Sequence, residues 1–156
     1  MFPIHGDISL MRCAADCALD RWPIPDTVRT LAKGEGVTAE HKALLVCPRC
    51  GGMARPHVLW FDESYDEPRF FLDTARRVAA QCRVLVIAGT SAQTNLPWQV
   101  VTLAARAGAT VVDINVDDNP FAEIAAQTPG GALRGSAATL MPVLVDAIAT
   151  TRPPSP

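Results

Sequence analysis

Strong charge of one sign is what this chain most plainly lacks: 14 Lys and Arg residues stand against 16 Asp and Glu, a net charge of -2, and the basic residues are scattered. No basic stripe is available to follow a phosphate backbone, so no nucleic acid partner is expected. Long apolar runs are missing too; none approaches the length that crosses a bilayer, and no membrane partner is expected. The first residues, Met1 to Gly6, carry neither a basic nor an apolar leader, which reads as a soluble, cytoplasmic protein. A pyrophosphate-binding glycine loop is also absent, because Gly130-Gly131 sit in a turn with no buried strand before them. With 156 residues, the chain suits one domain with a small appended module.

Cysteine is present, in odd number. Five residues fall as two close pairs plus Cys82, which suits metal binding in a reducing compartment better than disulfides. Cys82 reads as an inert core thiol. Cys13 and Cys17, with Cys47 and Cys50, have the knuckle spacing that places two thiolates on one tetrahedral ion, twice over. The rival is four unrelated buried cysteines. Four thiolates leave no open position, so the Zn2+ would be structural. Pro23, Pro25, Gly34 and Gly36 break regular structure between the knuckles and predict a loop-rich lobe.

Beyond the second knuckle the pattern changes. Val58 to Phe61 reads as a short apolar strand, Asp62 to Glu67 as a solvated acidic loop, and Pro68 to about Gln81 as one helix with Phe71, Leu72, Ala75, Val78 and Ala79 on its inner face. Arg83 to Ala88 is an aliphatic run without polar alternation, the mark of a strand covered on both faces of a parallel sheet. It ends at Gly89-Thr90-Ser91, and a helix carrying Leu96, Val100, Leu103, Ala104 and Ala107 follows. Ligands of open α/β sheets bind at such strand ends, where helix-start N-H groups and small hydroxyls can meet a phosphate or a ribose. Thr110 to Ile114 is a second buried strand, which completes a right-handed βαβ unit. Then come a short, irregular helical segment from Asn119 to Gln127, an extended piece from Ala132 to Arg134, and a last helix capped by Ser136 with the stripe Leu140, Val143, Leu144, Ala147 and Ile148. The fold class is thus α/β: a partial Rossmann-like parallel sheet with helices on both faces, plus a small zinc-binding lobe. The lobe runs over about 7–57, the sheet part over about 58–150, and 151–156 is a frayed tail.

Taken in order, His5-Gly6, the two knuckles, Trp60-Phe61, Gly89-Thr90-Ser91, Ile114-Asn115 and Leu133-Arg134-Gly135 resemble the sirtuins, the Sir2-type NAD-dependent protein deacylases. The resemblance implies removal of acyl groups from protein lysine, with NAD as co-substrate and an acylated-lysine protein or peptide as partner. In that family a histidine before a glycine, ahead of the first knuckle, is the general base on the nicotinamide ribose hydroxyl. His5 matches it, and imidazole suits the task at working pH. His41 and His57 match no such motif and read as surface or strand residues. Gly89, Thr90 and Ser91 would contact the adenosine side of NAD, Asn115 a ribose, and Ser136 and Ala137 would hold adenine through backbone. Val58, Trp60, Phe61, Asp62 and Glu63 would line the acyl-peptide channel, where an extended peptide adds as a strand.

Three departures from the family pattern stand out. The first knuckle has three residues between its cysteines where two are commoner, which still allows zinc. Asp62 replaces the glycine usual between the phenylalanine and the glutamate, which puts acyl or peptide preference in question. The family's amino-terminal strand, glycine-alanine-glycine loop and threonine-glutamine-asparagine stretch have no counterpart in these 156 residues. A sheet missing those strands should expose apolar surface and an unpaired edge. The chain therefore reads as a carboxyl-terminal part, with the missing half encoded upstream or supplied elsewhere. The alternative from another class is a non-catalytic zinc-bearing interaction module.

Overall fold

Two sheets of opposite character organise the chain in a computed structural model that describes residues 1–150; the expected frayed tail, 151–156, lies outside the described residues. The chain divides into two units, Met1–Thr74 and Ala75–Pro156, each considered by itself.

The first unit is built on an antiparallel sheet of order β2-β1-β3, with β1 at Gly6–Cys13, β2 at Arg21–Pro23 and β3 at Ala54–Val58. Two short helices, α1 (Asp26–Arg29) and α2 (Ala39–Leu44), lie between β2 and β3. The rest of the stretch between the knuckles, 30–38 above all, is irregular, as its prolines and glycines suggested. β1 hides from a periodicity reading because its pairing with β3 shifts register between Asp7 and Met11, so that Met11, Arg12 and Cys13 are buried consecutively instead of alternately. The strand expected at Val58 to Phe61 lies four residues earlier. Leu59 N-H still donates to the His5 carbonyl at 3.0 Å, but Trp60 and Glu63 then close a turn through Glu63 N-H to Trp60 O at 3.0 Å. Trp60 and Phe61 consequently sit on a turn, exposed.

The helix expected over 68–81 is two pieces, α3 (Glu67–Phe70) and α4 (Leu72–Ala79), because Phe71 adopts a left-handed conformation at φ 56°. Its neighbours over-determine that turn. Asp66 caps α3 by accepting from Arg69 N-H at 2.7 Å, and the Glu67 carboxylate takes both the backbone N-H and the hydroxyl of Thr74. The acidic segment is thus a loop in which Asp62 is exposed, as expected, while Glu63, Asp66 and Glu67 act as caps and clamps. His57, expected as a surface or strand residue, is on β3 and fully buried, its ring stacked on Phe70 at 5.4 Å.

The second unit follows its sequence more closely. β4 (Val84–Ala88), β5 (Thr110–Asn115) and β6 (Gly131–Arg134) form a parallel sheet in that order, joined by α5 (Asn95–Arg106) and α6 (Pro120–Ala126) and followed by α7 (Ala137–Thr150). Two crossovers step the same way along the sheet, and under the general right-handed rule they put α5 and α6 on one face, which agrees with the contact between them. Val111 and Ile114, on opposite faces of β5, both have no exposed surface, so the central strand is covered on both sides. Ile87, Val101, Val111, Phe121 and Ala125 are the core.

Burial differs from expectation in five places. On α4, Val78 is exposed and Ala79 is the buried residue. β4 pairs on one side only among the described residues, and Val84 and Ala88 are exposed, so the strand covered on both faces is β5. On α5 the buried residues are Leu96, Val101 and Ala104, with Ala107 exposed. The α7 stripe is only half-buried at Leu140 and Leu144 and exposed at Val143, Ala147 and Ile148. Cys82 is half-buried, its thiol donating to the Ala79 carbonyl at 3.2 Å, rather than a core residue.

Candidate functional site

In the first unit, the knuckles meet. Cys13 ends β1, Cys17 follows the adjoining turn, and Cys47 and Cys50 flank the tight turn before β3; their four sulfur atoms all lie within 4.8 Å of one another. Cys13 and Cys50 are 3.6 Å apart, as are Cys17 and Cys47. A tetrahedral ion with metal-sulfur bonds of about 2.3 Å needs sulfurs about 3.8 Å apart, so the residues fit zinc. None is in a disulfide. The N-H of Cys17 is the main group holding the Cys13 thiol down, at about 6, and the N-H of Cys50 lowers Cys47 similarly. Hydrogen bonds from the Cys17 thiol to the Cys13 and Cys47 sulfurs hold its proton and push its pKa up. A divalent cation would take the place of that proton, and with four sulfur ligands it would have no position left for substrate.

His5 stands just ahead of β1, exposed. Its Nε2 is 2.8 Å from the Tyr65 hydroxyl, and the two rings meet edge to face at 5.8 Å. The glycine after it is required. Gly6 has φ 86°, and a Cβ there would fall 2.0 Å from the His57 carbonyl oxygen. Across the sheet, Gly6 pairs with Val58, which ties His5 to the segment expected to receive peptide. Val58, Leu59, Trp60, Phe61 and Asp62 line a largely apolar cleft of about 380 Å³.

Glu63 is committed within the unit. Its carboxylate accepts from Trp60 N-H at 2.9 Å and from Arg55 Nη2 at 3.0 Å, and pairs with the buried Arg12 at 3.2 Å. The hydrogen bond from Arg55, more than its charge, holds the Glu63 carboxyl below the usual range. Arg55 also lies over the Trp60 ring at 4.8 Å. Buried His57 is held below the ordinary histidine value, first by desolvation and then by Arg21 and Arg12.

In the second unit, Gly89, Thr90, Ser91 and Asn115 come together in a crevice of about 420 Å³ at the carboxyl ends of β4 and β5. Gly89 turns the chain with φ 64°. Asn115 Nδ2 donates to the Thr90 carbonyl at 2.8 Å, locking one strand end to the other. Gln93, Asp117, Asp118, Asn119 and Pro120 complete the wall, a contribution the sequence reading missed. The signal was available: Asn119 caps α6 by accepting from Phe121 N-H at 2.9 Å, and Pro120 occupies its first turn, directly after a buried strand. Asp113 is buried and structural, holding Asn119 at 2.8 Å and Arg134 at 3.4 Å. Ser136 and Ala137 lie beyond the end of β6, where Gly135 N-H donates to the Asn115 carbonyl at 3.0 Å and Ser136 Oγ caps α7 by accepting from Thr139 N-H at 3.2 Å. Neither lines the crevice.

A four-cysteine cluster that fits zinc in one unit and a crevice at the strand ends of a parallel sheet in the other define an α/β protein with a metal-site lobe and the kind of crevice in which open sheets bind ligands. The Sir2 family model matches residues 1–95, and the chain belongs to the Sir2 family. An NAD-dependent protein deacylase of Methylococcus capsulatus is 37% identical over 152 residues, 96% of this chain and 54% of that protein. NAD-dependent protein deacylase 1 of Pseudomonas aeruginosa is 36% identical over 112 residues, 72% of this chain and 42% of its own length. A solved Sir2 homologue mutant in complex with ADP ribose superposes with a TM-score of 0.71 at 25% identity, covering 96% of this chain and 52% of that one. The chain spans about half the length of the curated relatives it matches. No helix among the described residues is long and apolar enough to cross a membrane.

Proposed function

We propose that these residues belong to an NAD-dependent protein-lysine deacylase and supply its zinc lobe, its general base and the adenosine side of its cofactor crevice. The observation that carries this reading is the convergence of Gly89, Thr90, Ser91 and Asn115, contributed by two strand ends, on one crevice. NAD supplies the leaving nicotinamide and the ribose that receives the acyl group. Small hydroxyls and the Asn115 amide suit ribose and phosphate oxygens, and Ser136 and Ala137 offer backbone to adenine. His5 accepts a proton from a ribose hydroxyl. Val58, Trp60, Phe61 and Asp62 receive the acyl-lysine peptide, Glu63 keeps their turn in shape, and the cysteine cluster holds the lobe. Five cysteines outside any disulfide support a reducing, cytoplasmic setting.

The test joins to this chain, in cis, the amino-terminal segment typical of the family and measures nicotinamide release from an acetylated peptide. His5→Ala should lower the rate by roughly 100-fold or more, the size of a general-base contribution. Equal activity in both proteins removes His5 from the role. A folded, zinc-loaded joined protein that releases no nicotinamide favours the interaction-module reading.

A further inference from the structure

The backbone of His5 is well held. Its carbonyl accepts from Leu59 N-H at 3.0 Å, and the next residue is wedged against the His57 carbonyl. The ring is another matter: it projects from an exposed residue ahead of the first strand, where an imidazole ordinarily exchanges rotamers and both neutral tautomers. One group stops it. Tyr65 Oη lies 2.8 Å from Nε2 and is the ring's one hydrogen-bond partner among the described residues.

Resting on the assignment of His5 as base, we propose that Tyr65 is a positioning residue that fixes the His5 imidazole in the tautomer with its proton on Nδ1 and its lone pair on Nε2. Imidazole nitrogen is the better acceptor of the pair and a phenol the better donor, so the hydroxyl of Tyr65 donates to Nε2. Partial burial favours the neutral phenol, which keeps that proton available. The phenol thus stands where a substrate hydroxyl would present its own proton, and it yields the place when that hydroxyl arrives. No proton leaves Tyr65. Its contribution is to have the accepting nitrogen held in one place and in one tautomer beforehand, the orientation part of a proximity effect.

The loop that carries Tyr65 also explains how the hold is maintained. Glu63, two residues earlier, is clamped by Arg55 and Arg12, and Asp66, the next residue, is tied to Arg69. Tyr65 is therefore mounted between two anchored carboxylates, and the ring it steadies inherits their order.

The chain contains one tyrosine and three histidines, which makes the test direct. Nitrogen-15 NMR of the full zinc-loaded chain at neutral to mildly alkaline pH, with His5 assigned by its absence in His5→Ala, should show Nε2 unprotonated and Nδ1 protonated. In Tyr65→Phe both resonances should move toward the values of an exchanging mixture. A protonated Nε2 in neutral His5, or unchanged His5 nitrogens in a Tyr65→Phe chain whose zinc content and His57 signals are intact, overturns the proposal. Should Tyr65→Phe fail to fold, the contact is read from the other side: His5→Ala must shift the carbon-13 resonance beside the phenol oxygen, and no shift overturns it. In the joined enzyme, Tyr65→Phe should lower kcat about fivefold, the worth of one net hydrogen bond, with KM little changed. The NMR outcome does not depend on deacylation, so failure of the functional reading and failure of this proposal are told apart.

Discussion

The two units reach order by different means. The first buries few apolar side chains, chiefly Met11, Ala54 and Phe70, and seals Arg12 and His57 among them. It is held by a four-cysteine cluster and by ion pairs that converge on Glu63. The second has an aliphatic and aromatic core and a single buried charge, Asp113, among its described residues. A small lobe with little core needs a staple, whereas a parallel sheet whose central strand is covered on both sides has a core of its own. The contrast teaches that these units should fail separately, under different insults.

The widest separation should come from the metal. Cys47→Ser, or chelation, should take zinc content from about one ion per chain to near zero and unfold the region around 6–58, because structural zinc contributes roughly 10–16 kcal/mol of apparent binding energy to small domains. Hydrogen exchange is the measurement, and β4, β5 and β6 should keep their protection. Loss of protection throughout would show that the units are not independent.

A smaller and opposite effect is expected from Phe121→Ala. Phe121 has no exposed surface and meets Trp98 edge to face at 4.9 Å. Its truncation should destabilise the second unit by about 3–5 kcal/mol in denaturant unfolding and leave zinc stoichiometry unchanged. A loss of less than 1 kcal/mol would mean that this core collapses around the vacancy or carries little of the fold.

The smallest effect sharpens the electrostatic side of the comparison. Glu63 has a folded-state pKa below its ordinary 4.5, chiefly through the hydrogen bond from Arg55. Its stabilisation is therefore fully present above the unfolded value and lost as pH falls through the depressed folded one. Glu63→Gln should weaken the lobe at neutral pH, and the two stability curves should converge in acid, below the ordinary carboxylate value. Using the difference between curves cancels the acid release of zinc common to both. Parallel curves at every pH would remove Glu63 from the role of clamp.

Legibility in the sequence followed the same division. Aliphatic runs at Arg83 to Ala88 and Thr110 to Ile114 and the helical spacing between them placed β4, α5 and β5 nearly to the residue, because local pattern and backbone conformation agree there. In the lobe they disagree. A register shift scrambles the alternation of β1, a left-handed Phe71 breaks a helix that spacing favours, and acidic residues that look solvated are caps and clamps. The deeper helix faces also escaped the reading, since α7 is apolar along a stripe that the described residues leave largely exposed.

By itself the sequence determined the family, the four cysteines that cluster and the residues that turn at the ends of β4 and β5, because cysteine spacing, glycine turns and aliphatic runs are local signals with fixed chemical meaning. Only the tertiary structure decided that Tyr65 meets His5 from sixty residues away, that Glu63 serves Arg55 and Arg12, and that His57 lies sealed against Phe70. Those contacts join residues with no common period and no shared motif. They exist because a shifted antiparallel register and one left-handed residue bring distant side chains to the same few ångströms, and no local pattern encodes that distance.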